Sequence, residues 1–480
     1  MKKFDTKVQH LKYKVLKAVA KFAWEGTLQE NLVNIPKMIV TKKEPTMRCC
    51  IYKEQAIVME RIKLAMGGNK DNKNAIEVID IACDECPMSG YEVTDYCRGC
   101  LSHRCEDACK KDAITFDHQQ KAHIDKSKCV DCGLCAKVCP YGAIRNLKRP
   151  CEMACKVKAI TSGEDHTAVI NDEKCISCGA CVYQCPWGAI NDKSYILDVI
   201  NLIKSSENNT KYKVHAVVAP AISSQFVYAK LGQVIKGIKE LGFYKVTEAA
   251  LGADMVALLE AEELSEKGFL TSSCCPAFVS YVKKQFPDLK EYVSHTLSPF
   301  ATISKRIKEE DPTCKVVFIG PCTAKKMEFK QEEVAPYVDS VITFEELQAL
   351  FDSKEIDVGS LQEENLENAS YYGRIFARNC GLSEAVAESL KESGLKNFDL
   401  KAVSCDGIEA CRIALMKAQK KILDGNFIEG MACVGGCIGG AGCLTHGERN
   451  KIEVEKHGKT SKLPDIKSAV TEYEKTHGKK

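Results

Sequence analysis

Closely spaced cysteines are the residues of this sequence whose type and spacing most clearly indicate chemistry. Residues 128–144 (KCVDCGLCAKVCPYGAI) and 174–190 (KCISCGACVYQCPWGAI) are nearly identical copies of the spacing C-x2-C-x2-C-x3-C-P. In that spacing three thiolates bind one iron–sulfur cubane, and the fourth, before the proline, binds a second cubane. A zinc site needs only C-x2-C pairs, so zinc is the weaker interpretation. The two copies predict at least two [4Fe-4S] clusters.

Two further groups of cysteines repeat parts of this pattern. Residues 97–114 hold four cysteines and end in Asp-Ala-Ile, and residues 151–160 hold two and end in Lys-Ala-Ile. With Cys83 and Cys86 the region contains sixteen cysteines, and at four ligands per cubane they predict four clusters with none left over. A two-cluster ferredoxin that pairs only the copies at Cys129 and Cys175 is the alternative.

One self-consistent assignment divides the sixteen ligands into four sets. They are set A (Cys83, Cys86, Cys151 and Cys185), set B (Cys97, Cys100, Cys105 and Cys139), set C (Cys109, Cys129, Cys132 and Cys135) and set D (Cys155, Cys175, Cys178 and Cys181). A row of such clusters conducts electrons without consuming them. We therefore expect a reaction site elsewhere in the chain.

Three motifs later in the chain have the residue types of such a site. They are residues 271–278 (TSSCCPAF), 320–328 (GPCTAKKME) and 429–442 (EGMACVGGCIGGAG). The first two follow strand-like runs, and strand ends are where α/β sheets gather ligands. The third is rich in glycine, as needed where backbone must approach a bulky inorganic centre closely. Core thiols in tight turns are the alternative.

Together the three motifs resemble the signature motifs of [FeFe]-hydrogenases, over roughly residues 214–444. The resemblance implies that Cys275, Cys322, Cys433 and Cys437 hold a cubane. It also implies that Cys437 bridges this cubane to a di-iron unit that carries CO, cyanide and a dithiolate, which completes an H-cluster. The expected reaction is the reversible conversion of two protons and two electrons into H2.

The resemblance extends to residues around the expected cluster. It implies that Cys274 is a proton-relay thiol and that Lys325 contacts a cyanide ligand. Glu260, Ser294 and Glu263 match the family's proton path, although a lone i, i+3 glutamate pair is ordinarily solvated surface. The residues expected to line the di-iron pocket are Ala219, Pro220, Ser298 and Met431. Glu328 fits either a site role or a structural ion pair.

This chain departs from the family at several positions. Gly320 replaces a Met before Pro-Cys, Ala221 a common Ser and Phe300 a common Gln. Cys443 stands where the family has a Gln-Pro ending. The extra cysteines are Cys314, Cys380, Cys405 and Cys411. These departures put catalytic bias and rate in question rather than the cluster itself.

The composition limits the remaining interpretations. Twenty-eight cysteines in tight groups within 480 residues indicate metal thiolates in a reducing compartment, so we expect a cytoplasmic protein. A net charge of +3 gives no global field for nucleic acid. No apolar stretch approaches the length of a membrane span. The N-terminus interleaves lysines with apolar residues, which is typical of an amphipathic helix rather than a secretory signal.

The elements that must position these residues divide the chain into four parts. Apolar runs that alternate with amphipathic stretches after about residue 211 predict an α/β fold. We expect a helical region at 1–80, an α+β ferredoxin-like [4Fe-4S] domain at 81–191, a two-lobed α/β [FeFe]-hydrogenase catalytic domain at 210–445, and a charged tail at 446–480. The H-cluster is expected between the lobes.

Three functions are compatible with this organisation. The first is a catalytic hydrogenase that exchanges electrons with a small ferredoxin-like carrier; a bifurcating assembly with flavin and NAD subunits is a variant, since the chain has no Gly-rich dinucleotide motif. The second is a hydrogen or redox sensor, and the third an iron–sulfur assembly protein without the di-iron unit. Cys274 favours the first over the second, and Cys274 with Lys325 favours it over the third.

Overall fold

The computed structural model of the protein describes residues 3–41, 44–45, 47–87, 89–163, 165–395 and 398–477. Its α-helices are α1 (Lys7–Glu25), α2 (Leu28–Asn31), α3 (Ile35–Ile39), α4 (Ile51–Ala65), α5 (Arg104–Asp107), α6 (Leu134–Val138), α7 (Pro150–Ala154), α8 (Ala180–Gln184), α9 (Ile196–Ser205), α10 (Leu231–Glu240), α11 (Ala249–Lys267), α12 (Pro276–Gln285), α13 (Pro299–Glu310), α14 (Lys325–Glu328), α15 (Phe344–Ser353), α16 (Tyr371–Ile375), α17 (Gly381–Glu392), α18 (Ile408–Gln419), α19 (Glu448–Lys459) and α20 (Ile466–His477). Its strands are β1 (Ile76–Val78), β2 (Gly90–Val93), β3 (Ile114–Phe116), β4 (Ala122–Ile124), β5 (Ile144–Leu147), β6 (Ile160–Ser162), β7 (Ala168–Ile170), β8 (Ile190–Asp192), β9 (Val214–Val218), β10 (Lys245–Glu248), β11 (Leu270–Thr271), β12 (Lys315–Gly320), β13 (Ser340–Thr343), β14 (Ala402–Asp406) and β15 (Phe427–Met431).

Two parallel sheets form the part of the chain after residue 210, the predicted catalytic part. The first has the strand order β10-β9-β12-β13 and the second β11-β15-β14. Strand β9 is apolar apart from His215 and is buried along its whole length, as expected for a parallel strand covered on both faces. The connections between the strands carry helices such as α11 and α13. The predicted α/β fold with a ferredoxin-like domain before it is confirmed.

The N-terminal helix α1 packs against the catalytic part. Thr6 and Gln9 form a capping box at its start, and Gly26 ends it in the left-handed conformation with φ +77°. Its buried face, which includes Val15 and Val19, belongs to the same hydrophobic core as Phe344 of α15. The helical region at 1–80 therefore shares a core with the domain that follows, and its last residues form β1.

The cysteine-rich region consists of two similar units, one inserted into the other. The inner unit, residues 90–147, pairs β2 with β5 and β3 with β4, all antiparallel. The outer unit, residues 76–86 and 151–192, pairs β1 with β8 and β6 with β7 in the same way. The inner unit is inserted between Cys86 and Cys151 of the outer one. Sets B and C lie in the inner unit, and sets A and D in the outer unit.

The predicted charged tail contains two helices, α19 and α20. Val454 of α19 and both Ile466 and Ala469 of α20 are fully or almost fully buried. Their apolar residues recur at helical spacing among lysines and glutamates, which is why composition alone indicated a peripheral segment. Lys479 and Lys480, also assigned to the tail, lie outside the described residues. Within the part of the chain that the structure describes, no helix is both long and apolar enough to cross a membrane.

Candidate functional site

The cysteines of the three motifs lie at the carboxyl ends of parallel strands. Cys275 follows β11, Cys322 follows β12, and Cys433 and Cys437 follow β15. Burial, and then the thiolate charge of Cys275, raise the pKa of Cys322 to about 11. Burial and the charges of Cys322 and Cys275 raise the pKa of Cys437 to about 12, and the same neighbours raise that of Cys433. Four mutually close thiols of this kind ionise together only beside positive charge, so this donor set fits a cubane.

Lys325 lies at the centre of the polar contacts of this site. Its Nζ donates hydrogen bonds to Ser298 Oγ at 2.9 Å and to the Cys274 carbonyl at 3.2 Å. It forms an ion pair with Glu328 Oε2 at 2.7 Å and lies 4.4 Å from the centre of the Phe300 ring. Ser298 Oγ in turn donates to Glu328 Oε1 at 2.6 Å. Glu328 and Ser298 therefore hold the ammonium group in place from two sides.

The carboxylates predicted for proton transfer lie on α11 beside Cys274. Glu260 is fully buried, and its Oε1 accepts hydrogen bonds from the amide and the hydroxyl of Ser273 at 2.9 and 3.0 Å. Its Oε2 has no hydrogen-bond partner among the described residues. Burial raises the pKa of Glu260 to about 7. Burial, and then the charge of Glu260, raise the pKa of the Cys274 thiol well above its usual value, so this thiol is protonated near neutral pH, whereas Glu260 is divided between its two forms.

The same path continues from Glu260 towards the surface. Ser294 Oγ donates to Glu263 Oε2 at 2.7 Å and lies close to Glu260. Burial alone would raise the pKa of Glu263, but hydrogen bonds from Lys267 and Ser294 lower it. Glu263 also accepts from Lys267 Nζ at 2.7 Å, and His295 beside it is exposed. The structure thus places Cys274, Glu260, Ser294 and Glu263 near one another, and among them a hydrogen bond joins Ser294 to Glu263.

The residues predicted to line the di-iron pocket lie around the same strand ends. Ala219 and Met431 stand at or next to the ends of β9 and β15, and Ser298 is the N-cap of α13. Pro220 begins a short 3-10 helix, Pro220–Ser224.

Gly320, a departure from the family, has a packing reason in this chain. A Cβ at Gly320 would lie 2.6 Å from two ring atoms of Phe318 and 3.1 Å from Ala219 Cβ. The Phe318 ring packs on Phe300 with 4.7 Å between centroids. The two aromatic rings therefore fill space next to Gly320, and they explain why no side chain stands there.

The accessory cysteines repeat one backbone arrangement four times. In each copy an alanine follows a residue with positive φ. These residues are Asp112, Gly142, Lys158 and Gly188. In each copy the alanine amide donates to the sulfur of the cysteine four residues earlier: Ala113 to Cys109, Ala143 to Cys139, Ala159 to Cys155 and Ala189 to Cys185, at 3.1–3.4 Å. The copy shortened in sequence is therefore equivalent to the others in structure.

Most thiol neighbours in the structure belong to the same ligand set. Burial comes first in raising the pKa of these thiols. The thiolates that raise it further are Cys100 and Cys139 for Cys105 (set B), Cys129, Cys109 and Cys132 for Cys135 (set C), Cys185 and Cys83 for Cys151 (set A), and Cys178, Cys175, Cys155 and the set A residue Cys151 for Cys181 (set D). No group of three or more His, Cys, Asp or Glu among the described residues is arranged to hold a single metal ion. The sets remain predictions for cubanes, in which each thiolate binds a different iron.

Set D lies directly against the catalytic motifs. Thr323 Oγ1 donates to the Ser177 carbonyl at 2.8 Å, which joins the loop after Cys322 to the loop of Cys178. A Cβ at Gly179 would lie 2.5 Å from Thr323 Oγ1 and 2.6 Å from Ala441 Cβ. Cys178 is also among the thiolates that raise the pKa of Cys433. Of the four sets, D is therefore the one in contact with the candidate site.

Sequence reasoning missed Glu429 and Ser273. Glu429 is fully buried, and its Oε2 accepts hydrogen bonds from Ser383 and Ser404. It lies two residues before Met431 on β15, so both side chains point to the same face of the strand. The sequence signal that could have identified Glu429 was its place in the third motif. For Ser273 it was the position directly before the Cys-Cys pair.

Comparison with protein families assigns three segments of the chain. Residues 212–441 match the model described as the iron only hydrogenase large subunit, C-terminal domain. Residues 96–143 match a 4Fe-4S dicluster domain, and residues 168–191 match a 4Fe-4S binding domain.

Several curated proteins are similar to this chain. Iron hydrogenase 1 of Clostridium pasteurianum is 28% identical over 55% of this chain and 56% of its own length. The NADP-reducing hydrogenase subunit HndD of Solidesulfovibrio fructosivorans is 26% identical over 53% of each. The cytosolic Fe-S cluster assembly factor NAR1 of Kluyveromyces lactis is 36% identical over 22% of this chain and 23% of its own length. The chain spans about half the length of the two hydrogenases.

Among solved structures, the [FeFe]-hydrogenase HydA(deltaEFG) aligns with a TM-score of 0.48 at 19% identity, over 59% of this chain and 94% of its own. A variant of the [FeFe]-hydrogenase HydA1 from Chlamydomonas reinhardtii, in which one glutamate is replaced by glutamine, aligns with a TM-score of 0.47 at 20% identity, over 58% and 92%.

Proposed function

Because its domains place this chain in an [FeFe]-hydrogenase-like family, we propose that it catalyses the reversible conversion of two protons and two electrons into H2. The observation that carries the proposal is that the four motif thiols, Lys325 and Cys274 come together at the carboxyl ends of strands from both parallel sheets. The proposed cofactor is an H-cluster held by Cys275, Cys322, Cys433 and Cys437. When bound, it supplies the metal chemistry that forms and cleaves H2.

In this proposal the protein moves protons through Cys274, Glu260, Ser294 and Glu263. The Cys274 thiol is neutral at physiological pH because burial raises its pKa, so it is a donor as well as an acceptor of a proton. Glu260 has a pKa of about 7, which suits a group that must take up and release protons near neutral pH. Glu263 passes the proton on at the partly exposed end of α11.

Electrons reach the site through the accessory clusters, and set D is the last of them because it contacts the Cys322 loop. The inner unit is inserted into the outer one, so in this proposal electrons pass from the inner unit through the outer unit to the candidate site. We propose a small ferredoxin-like protein as the external carrier. A cytoplasmic location stays a prediction.

An iron–sulfur assembly factor is the second candidate, and the similarity to NAR1 favours it. An assembly factor has no need of a proton path or of a buried ammonium beside the cluster. Two features therefore support the hydrogenase over the assembly factor. Ser273 and Ser294 form hydrogen bonds with glutamates, and Ser298 and Glu328 hold the ammonium group of Lys325.

Infrared spectroscopy of the anaerobic protein, loaded by hydrogenase maturation factors, separates the two candidates. We expect CO and cyanide bands from the wild-type chain, and no such bands from Cys322→Ala, which lacks one cubane ligand. Accessory clusters without CO and cyanide bands in the wild type would leave the assembly factor as the function. Unchanged bands with full activity in Cys322→Ala would refute Cys322 as a ligand.

A further inference from the structure

Arg149 is a buried cation without a counter-charge among the described residues. Its side chain is 1% exposed, and no carboxylate forms an ion pair with it. Neither Nη1 nor Nη2 has a hydrogen-bond partner in the described part of the chain. A charge buried in this way is strongly unfavourable unless an anion accompanies it. The guanidinium therefore indicates an anionic partner at this position.

The position of Arg149 identifies that partner. Arg149 is the N-cap of α7, the helix that carries Cys151, and its Nε donates to the Pro87 carbonyl at 3.1 Å. Pro87 directly follows Cys86. The guanidinium is thus fixed between two segments that carry ligands of set A. Burial raises the pKa of Cys83 and Cys86, and the charge of Arg149 opposes this, which places its charge beside both thiols.

The inner unit has no such cation at the corresponding position. Residues 103–109 (HRCEDAC) and 149–155 (RPCEMAC) occupy equivalent places in the two units, so His103 corresponds to Arg149. His103 stacks on Phe116 at 3.7 Å between ring centroids. Arg104, the next residue, is exposed to solvent. Set B therefore lacks the buried charge that set A has.

We propose that Arg149 is the counter-charge of the set A cubane and raises its reduction potential, so that this cluster accepts an electron before its counterpart in set B. The proposal rests on the ligand assignment within the proposed function. A cubane bound by four thiolates is an anion, and reduction adds one electron and one further negative charge without making or breaking a bond. A fixed positive charge nearby stabilises the reduced form more than the oxidised form. Arg149 thus influences which cluster holds the electron and takes no part in the catalytic step itself.

The test is a potentiometric titration of the loaded full-length protein, followed by electron paramagnetic resonance. In Arg149→Met we expect one accessory transition to move to lower potential, with the reduced-to-oxidised ratio at a fixed potential falling about tenfold, which is about 59 mV for one electron. Arg145→Met is the matched control. It removes an exposed guanidinium of the inner unit, and we expect every transition to stay in place because solvent screens that charge.

Three further variants make the outcome decisive. Cys151→Ala should remove the same transition that Arg149→Met shifts; if no transition is lost there, the set A assignment fails, independently of Arg149. If Arg149→Met does not load the cubane, Arg149→His at pH 8 repeats the test with the residue of the inner unit, uncharged at that pH. Unchanged potentials in a loaded Met or His variant would overturn the proposal. Loss of the cubane in Arg149→His and Arg149→Lys alike would also overturn it, because charge would then not be the property that matters.

Discussion

Two buried titratable groups, Cys274 and Glu260, distinguish the candidate site at the scale of single residues. Burial raises the pKa of both, to about 7 for Glu260, and the charge of Glu260 raises that of Cys274 further. Such a pair transfers a proton only when a neighbour accepts it. Ser294 and Glu263 provide this neighbour on the side away from the motif thiols.

We expect Cys274→Ala to keep the infrared signature of the cluster and to lose activity by at least the roughly 10²-fold typical of a removed proton-transfer group. Cys274→Asp should retain more activity, because a carboxylate also relays protons. Hydrogen evolution with a reduced viologen, on spectroscopically intact protein, measures both. Near wild-type turnover of Cys274→Ala would mean that the thiol only packs beside Cys275.

Glu260→Gln should slow turnover less than Cys274→Ala and should change its pH dependence. Because burial raises the folded-state pKa of Glu260 from 4.5 to about 7, the folded protein holds this proton more tightly than the unfolded chain. Its contribution to the free energy of unfolding is therefore present below about pH 4.5 and is lost as pH rises to about 7. The Gln variant should lack this loss.

Activity and chemical unfolding measured from pH 5 to 8 test this expectation. Glu262→Gln is the control, since Glu262 is exposed on the same helix. An identical pH dependence of stability in Glu260→Gln and the wild type would contradict the assignment.

At the scale of elements, the contact between the Cys178 loop and the Cys322 loop sets the last step of electron transfer. Gly179→Ala adds a Cβ that would clash with Thr323 and Ala441 at a backbone φ of +77°. We expect the two loops to separate and the reduction of the accessory clusters by H2 to slow, as measured by stopped-flow absorbance under anaerobic conditions.

Gly142→Ala is the control for this change. It has a similar positive φ of +58° but no atom within 4 Å of the added Cβ, so it tests backbone strain alone. Equal rates of cluster reduction in the two variants would show that the loop contact has no role in electron transfer.

At the scale of the whole molecule, a buried ionic network joins the three main parts of the chain. Lys12 of α1 and Lys326 of α14 both pair with Asp192 of β8, the latter at 2.8 Å. Lys326 also pairs with Glu346 of α15 at 2.7 Å, and Lys12 with Glu345 at 2.6 Å. The N-terminal helices, the outer cluster unit and the catalytic part are thus held by one set of charges.

Lys326→Met should destabilise the protein by about 3–5 kcal/mol, because Asp192 and Glu346 are left buried with less compensation. Chemical unfolding of the unloaded chain, followed by circular dichroism, measures the loss. Lys230→Met is the control: Lys230 pairs with Glu363 at the surface, with side chains 73% and 53% exposed, so we expect a change below about 1 kcal/mol. Similar losses in both variants would contradict the structural role of the network.

Iron content is the second test at this scale. Four complete ligand sets in two equivalent units predict four accessory cubanes in addition to the catalytic centre. Anaerobic iron analysis with quantified paramagnetic resonance of the reduced clusters gives the number. Iron for only two accessory cubanes would contradict the four-cluster assignment and leave Cys83, Cys86, Cys151 and Cys155 unexplained.

The sequence determined the ligand chemistry and the order of the motifs, because C-x2-C-x2-C-x3-C-P spacing is local and three thiolates of one turn must bind one cubane. It also indicated the α/β fold, since β9 and β12 are largely apolar runs that can be recognised from the sequence without knowledge of their neighbours in the fold. Cys151 and Cys155 looked incomplete in sequence because Cys83 and Cys86, which complete this copy of the motif, lie on the far side of the inserted unit.

Only the tertiary structure decided that insertion, since it depends on β1 pairing with β8 across more than a hundred residues. It also decided the packing of α19 and α20, whose buried stripe is narrow beside their charged faces. Arg149 and Glu429 gave no signal by type alone, because an arginine or glutamate is ordinarily solvated. Each is buried because elements distant in sequence fold around it, and these elements also determine which groups its side chain contacts.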